Sequence, residues 1–209
     1  MKMKCPVPCE NKFFALILLF TLVFFSSCKK EAASASPATA SGSGDLAGLI
    51  LEDIPGSTVK YARQINSAGV LEIEGFVKDN KKTGMWMQFN AQGDVGLINN
   101  YVDGLLEGVA LRMTYRNQVD LKSTYRKGKL NGPWVTYKYG KMTEERNYID
   151  GLLDGTARVY DDRTFKLKQE AQYKNGVQDG YFRYYDEEGN ITLEYTYKNG
   201  EKLSGGMKK

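Results

Sequence analysis

Three groups of carboxylates and one series of aromatic rings are the residues whose types and spacing could do chemistry. Asp186-Glu187-Glu188 stand just before Gly189, Asp161-Asp162 occupy the corresponding place one period earlier, and Glu145, Glu170 and Glu194 recur 25 and 24 residues apart. Paired carboxylates do acid–base work when burial splits their proton affinities, and clustered ones hold Ca²⁺. Here the first two groups read as turn residues and the third as a row on the polar side of strands. They are expected to be solvated surface that blunts edge pairing, with no catalytic residue and no metal site. Trp86, Trp134, Phe182, Tyr137, Tyr160 and Tyr185 recur on successive segments. Such a series either stacks on sugar rings as a ligand-binding row or supplies the large side chains of a thin core. The sequence contains no His, which excludes Ser-His and Cys-His nucleophiles and His metal sites. The spacing Tyr-x-x-Gly-x-x-x-Gly lacks the strand-to-helix setting of a phosphate loop.

The elements that must position these residues follow from a repeat. Tyr101, Tyr125, Tyr148, Tyr173 and Tyr197 are spaced 24, 23, 25 and 24 residues apart, with Val77 in the place of an earlier copy. Three residues after each comes Asn80, Gly104, Gly128, Gly151, Gly176 or Gly200, and seven after comes Gly84, Gly108, Gly132, Gly155 or Gly180, then Ser204. Eight before stands a second turn position: Gly69, Gly93, Asn117, Gly140, Gly189 and, as the one poor fit, Phe165, where Asp161-Asp162 is expected to move the turn. A fixed period of this size signals an array of one structural unit. Counting back from the tyrosine by twos gives Tyr197, Tyr195, Leu193 and Ile191, with Thr196, Glu194 and Thr192 between them. That alternation predicts antiparallel strands with one apolar and one wet side. Each copy therefore reads as two short strands and two turns. A lone hairpin is marginal in water, so the copies must stack. About 12 strands are expected, in one elongated, twisted antiparallel sheet. Residues 45–58, with Leu46, Leu49, Ile50, Leu51 and Pro55, are expected to cap the first hairpin as a short helix. The array runs over 59–206 and residues 207–209 form the tail; the polar stretch from Glu201 onward is expected to stop the array.

At the N-terminus Lys2, Lys4 and Lys12 precede an apolar run from Phe13 to Phe25, then Ser26-Ser27-Cys28. This almost unbroken run of 13 residues is too short to span a bilayer, for which about 20 apolar residues are needed, and it fits the core of a secretory signal over residues 1–27. Phe25-Ser26-Ser27-Cys28 resembles the lipobox of bacterial lipoproteins, with Phe where Leu is usual. The resemblance implies cleavage before Cys28 and acylation of that residue, which anchors the chain in a membrane. Removal of residues 1–27 leaves 26 basic and 24 acidic side chains, too even a balance for a nucleic-acid partner. Residues 28–44 include EAASASPATASGSG, a tether too small and polar to order itself, with a reach of about 20 Å. Lys29 follows the cysteine in place of an inner-membrane-retaining Asp, so the outer membrane of a bacterial envelope is the expected address.

The motifs Tyr125-Arg-Lys-Gly128-Lys-Leu-Asn-Gly132-Pro-Trp134-Val-Thr-Tyr137 and Tyr173-Lys-Asn-Gly176-Val-Gln-Asp-Gly180-Tyr-Phe182-Arg-Tyr-Tyr185 resemble the bacterial variant of the MORN repeat. The resemblance runs from about Ser57 to Gly206; Ala110 and Ala157 stand where the pattern has an aromatic, so the contacts of those copies must differ. It implies an all-β array of hairpins that acts as a scaffold or binding surface. The expectation is a monomeric, non-enzymatic module without a cofactor, with a protein partner, and with a cell-wall glycan as the alternative. Some members of that family are antitoxin components, a role at odds with export of this chain.

Overall fold

The computed structural model describes residues 46–114 and 116–208. The signal segment 1–27, Cys28 and the tether to residue 44 lie outside the described residues. Sixteen strands follow in order among the described residues: β1 Ile50–Asp53, β2 Lys60–Ile65, β3 Leu71–Lys78, β4 Lys81–Phe89, β5 Val95–Val102, β6 Leu105–Leu106, β7 Gly108–Met113, β8 Val119–Arg126, β9 Lys129–Lys138, β10 Lys141–Ile149, β11 Leu152–Leu153, β12 Gly155–Tyr160, β13 Leu167–Lys174, β14 Val177–Tyr185, β15 Ile191–Lys198 and β16 Glu201–Met207. They form one open antiparallel meander from β1 at one edge to β16 at the other, with β6 pairing β5 and β11 pairing β10. The expected dozen are β2–β5, β7–β10 and β12–β15. The other four come from the two edges and from the short strands β6 and β11, which precede Gly108 and Gly155. The stretch from Glu201 stops the array as its edge strand, paired with β15.

Among the described residues no helix caps the first hairpin. Among the described residues of that segment Leu46–Leu49 form a tight turn, closed by the Leu49 amide donating to the Leu46 carbonyl at 3.2 Å, and β1 follows. Leu46 and Leu49 still cover the first core, packing on Ala62, Val77 and Trp86 with Ile73 and Tyr101.

Two kinds of turn alternate, except that Tyr139-Gly140 between β9 and β10 is a two-residue turn of the first kind at the second end. At one end Asp103-Gly104, Lys127-Gly128, Asp150-Gly151, Asn175-Gly176 and Asn199-Gly200 take positive φ at both residues, as does Asp79-Asn80. Two-residue turns of this hand match the twist of the flanking strands. At the other end Asn66, Asn90 and Asp186 each accept, on one side-chain oxygen, the amides two and four residues on, at 2.7–3.0 Å. Asp161 does the same work in a turn one residue longer, closed by Phe165 N–H to the Asp161 carbonyl at 2.8 Å, and Phe165 itself takes the positive φ of 59°. The copies are also tied to one another. The amides of Gly104, Gly128, Gly151, Gly176 and Gly200 donate at 2.8–2.9 Å to carbonyls of Lys82, Leu106, Leu130, Leu153 and Gln178.

Beside each turn of this second end, Tyr139-Gly140 included, the register slips, as between Tyr184↔Leu193 and Tyr185↔Ile191. At this end the bulge residues are Glu72, Gly96, Asp120, Thr143, Lys168 and Thr192, one per copy; at the other end the register also shifts in the pairs β3–β4, β8–β9, β13–β14 and β15–β16. A bulge adds one residue to one strand and increases local twist. It also corrects the simple parity. Leu193, Tyr195 and Tyr197 share one face, but Ile191 lies across the bulge and sits on the other with Tyr185. The same count by twos from Val77 and Tyr125 would put Leu71 and Val119 on the tyrosine face, and they too lie across their bulges on the other. Neither face is therefore uniformly wet.

Candidate functional site

One face carries the repeat tyrosines. Its central row reads Ala62, Gly75, Trp86 and Asn99 over β2–β5, then Ala110, Ser123, Trp134 and Arg146 over β7–β10, then Ala157, Ala171, Phe182 and Tyr195 over β12–β15. The pattern is two small residues, a ring, and a planar side chain beside the ring. The rings lie on the small residues: Ala62, Ala110, Ser123 and Ala171 are all buried. Trp86 is buried and donates its indole N–H to the Phe76 carbonyl at 3.1 Å. Arg146 lies 5.0 Å from the Trp134 centroid, and Tyr195 stacks on Phe182 at 6.4 Å and 25°. The repeat unit is thus four strands, with Trp86, Trp134 and Phe182 each 48 residues apart.

The six aromatic residues singled out in the sequence do not form one row. Trp86, Trp134 and Phe182 are on the tyrosine face, whereas Tyr137, Tyr160 and Tyr185 project from the other, three positions further along their strands. Their offset of three residues, an odd number, is the sequence signal for this division. A denser group forms where the register brings Phe182 beside Tyr184, Tyr195 and Tyr197, with ring centroids 5.1–6.4 Å from Phe182 and all four half-buried. Lys202 adds its ammonium 4.1 Å over Tyr195. Burial pushes the Tyr101 and Tyr173 phenols of the same face above their usual range.

The opposite face carries a ladder of directly opposed side chains. At its C-terminal end, Arg158 bonds Glu145 at 3.1 Å and Glu170 at 2.9 Å, and Arg183 bonds Glu194 at 2.6 Å. Lys208 closes on Glu194 at 3.0 Å, and the Tyr185 hydroxyl donates to Glu170 at 3.2 Å. The glutamates read as a solvated row are therefore each held by a guanidinium. The signal was available: Arg158 and Arg183 stand three residues after the second glycine of their copies, opposite the glutamates. At the N-terminal end Arg63 pairs with Glu52 at 2.5 Å, and the Tyr61 hydroxyl donates to Glu74 at 2.5 Å. In the middle, over β4, β5, β7 and β9, the ladder is apolar, with Met87, Ile98, Leu111 and buried Val135, and Lys122 of β8 is its one charge. An open cleft of about 370 Å³ lies there, lined by Leu111, Gln118, Val119, Lys122, Tyr137 and Gly140.

Two pH-dependent effects follow. The hydrogen bond to Glu74, burial and the Glu74 charge push the Tyr61 phenol up to about 12. The folded chain thus keeps a proton that the unfolded chain releases near pH 10. The stabilisation is complete below that value and is lost as pH rises from 10 towards 12. Tyr61→Phe is expected to remove this part of the alkaline loss in denaturant titrations between pH 9 and 12. The Asp186 carboxyl is held below its usual range, first by the Asn190 amide. Its stabilisation is present above the ordinary carboxylate range and lost as pH falls through the lowered value. Asp186→Ala is expected to lower the melting temperature at neutral pH. Asp186→Asn, which copies Asn66 and Asn90, is expected to keep it while flattening the acid limb. Equal melting temperatures for the two variants would refute the role of the side-chain oxygen.

Among the described residues no three acidic or thiol side chains gather as a metal site would require. No helix there is long and apolar enough to cross a membrane. No family model matches the chain, and no curated protein matches it significantly in sequence.

Proposed function

We propose that this chain is a non-enzymatic, lipid-anchored binding or scaffolding module of the bacterial envelope, with MORN-like repeats that present one extended sheet to a protein partner. The observation that carries this reading is the form of the sheet: fourteen strands in one continuous path among the described residues, two differently patterned faces, and shallow open clefts. At about 4.8 Å per strand, the path extends roughly 60 Å in the hydrogen-bonding direction. Such a surface suits a large partner better than a small substrate, which is bound in a concave site. The anchor is Cys28, and the tether lets the sheet stand clear of the headgroups.

Affinity capture from detergent-solubilised envelope tests the proposal, with Cys28→Ala as the control for anchoring. The expected result is a saturable protein partner, and release of the Cys28→Ala chain from the membrane fraction. A chain that stays with the membrane after this substitution overturns the anchor, and the absence of any saturable partner overturns the binding role.

The aromatic group of Phe182, Tyr184, Tyr195 and Tyr197 favours a second reading, a cell-wall glycan stacked on the tyrosine face. Saturable peptidoglycan binding lost in Tyr195→Ala, with the fold intact, would support it. Unchanged binding in that variant would exclude this group.

A further inference from the structure

Resting on the reading of the sheet as a protein-binding surface, we infer that the middle of the ladder face, from β4 to β10, docks an amphipathic α-helix of the partner, whose apolar side carries a carboxylate opposite Lys122. The first observation is composition. Of the five described methionines, Met85, Met87, Met113 and Met142 all lie on this face of β4, β7 and β10, and Met85 is 46% exposed. Unbranched thioethers repack around varied surfaces, which suits them to a docking patch.

The second observation is charge. Elsewhere on the ladder the cations have anions: Arg63 has Glu52, Arg158 has Glu145 and Glu170, and Arg183 has Glu194. Lys122 is exposed at the rim of the cleft, between Leu111 and Val135, and no ion pair joins it to a described residue. A carboxylate brought there by a partner gains a charge-assisted hydrogen bond and fixes the register of docking.

The third is layering. Stable domains pack two layers of secondary structure around their apolar side chains. The described residues form one sheet and contain no helix, so none of them lays a second layer over this patch. From β4 to β10 the strands cover about 24 Å. A helix rising 1.5 Å per residue crosses that distance in roughly 16 residues. A second copy packed face to face about a two-fold axis would bring its own Lys122 in place of the missing anion, since such an interface repeats the same patch on both sides.

The test uses the full chain labelled at its methionine methyl groups, and two 16-residue amphipathic helical peptides that differ only in a central Glu or Lys. The Glu peptide is expected to shift the Met87 and Met113 resonances and leave Met207 unmoved. Lys122→Glu, at an exposed position, is expected to weaken the Glu peptide at least tenfold and to strengthen the Lys peptide. Equal affinity of the two peptides, shifts at Met207 alone, or peptide-free shifts that depend on chain concentration would overturn the inference. Envelope capture is run in parallel with wild type and Lys122→Glu. A partner held equally by both overturns the helix site and leaves the protein-binding reading standing. Failure of both to hold any partner overturns that reading itself.

Discussion

Trp86→Ala is expected to destabilise the chain by about 3–5 kcal/mol, the range for removing a buried large aromatic. The ring is 4% exposed, donates to the Phe76 carbonyl, meets Tyr101 edge-on at 6.3 Å and lies under the Lys82 ammonium at 4.4 Å. Its floor is Gly75. A Cβ there would overlap Trp86 Cδ2 and stand 2.5 Å from two neighbouring ring atoms, so Gly75→Ala must expel the indole or shift the strand. Overpacking of this kind costs about 1–3 kcal/mol. Urea unfolding followed by far-ultraviolet circular dichroism measures both, and for Gly75→Ala the indole fluorescence in a Trp134→Phe background reports on Trp86 directly. A loss below about 1 kcal/mol for Trp86→Ala would mean that the first four-strand unit does not depend on this ring.

Ala171 and Phe182 make the corresponding pair in the third unit, and their coupling is expected to be strong. Ala171 is 1% exposed and lies directly opposite Phe182. Ala171→Leu forces a larger side chain beneath the ring and is expected to cost about 1–3 kcal/mol. Phe182→Ala is expected to cost about 2–3 kcal/mol, less than a fully buried aromatic because the ring is half-buried. The double variant is expected to cost less than the sum by about 1 kcal/mol or more, because the introduced leucine would fill space vacated by the ring. Denaturant unfolding of the four proteins gives the cycle. Additivity within about 0.5 kcal/mol would show that the small residue and the ring do not share one space.

Much of this architecture can be read from the chain alone, because turns restrict residue type. Asp103-Gly104 and its relatives need two positive φ angles, and few residues supply them. The strands between the turns were therefore legible, and so was the tyrosine row. The bulges were not. At the second end their residues are Glu72, Gly96, Asp120, Thr143, Lys168 and Thr192, which share no chemical character, because the extra residue is defined by its place in the ladder. Missing them put Leu71, Val119 and Ile191 on the wrong face. Phe165 shows a different limit: a longer loop and the surrounding strands impose on it a conformation that its side chain disfavours. The ion-pair ladder was half visible. Its glutamates stood out by their period, while Arg158 and Arg183 gain meaning only once the register sets them opposite.

The four-strand grouping of small residues and rings limits how such a chain can lengthen or shorten over generations. Copying one hairpin would put a Trp86-like neighbour against another ring, or leave two alanine-bearing hairpins side by side with nothing to fill the gap between them. Gene duplications that survive should therefore come in pairs of hairpins, near 48 codons at a step, and natural length variants of this chain should differ by even numbers of hairpins.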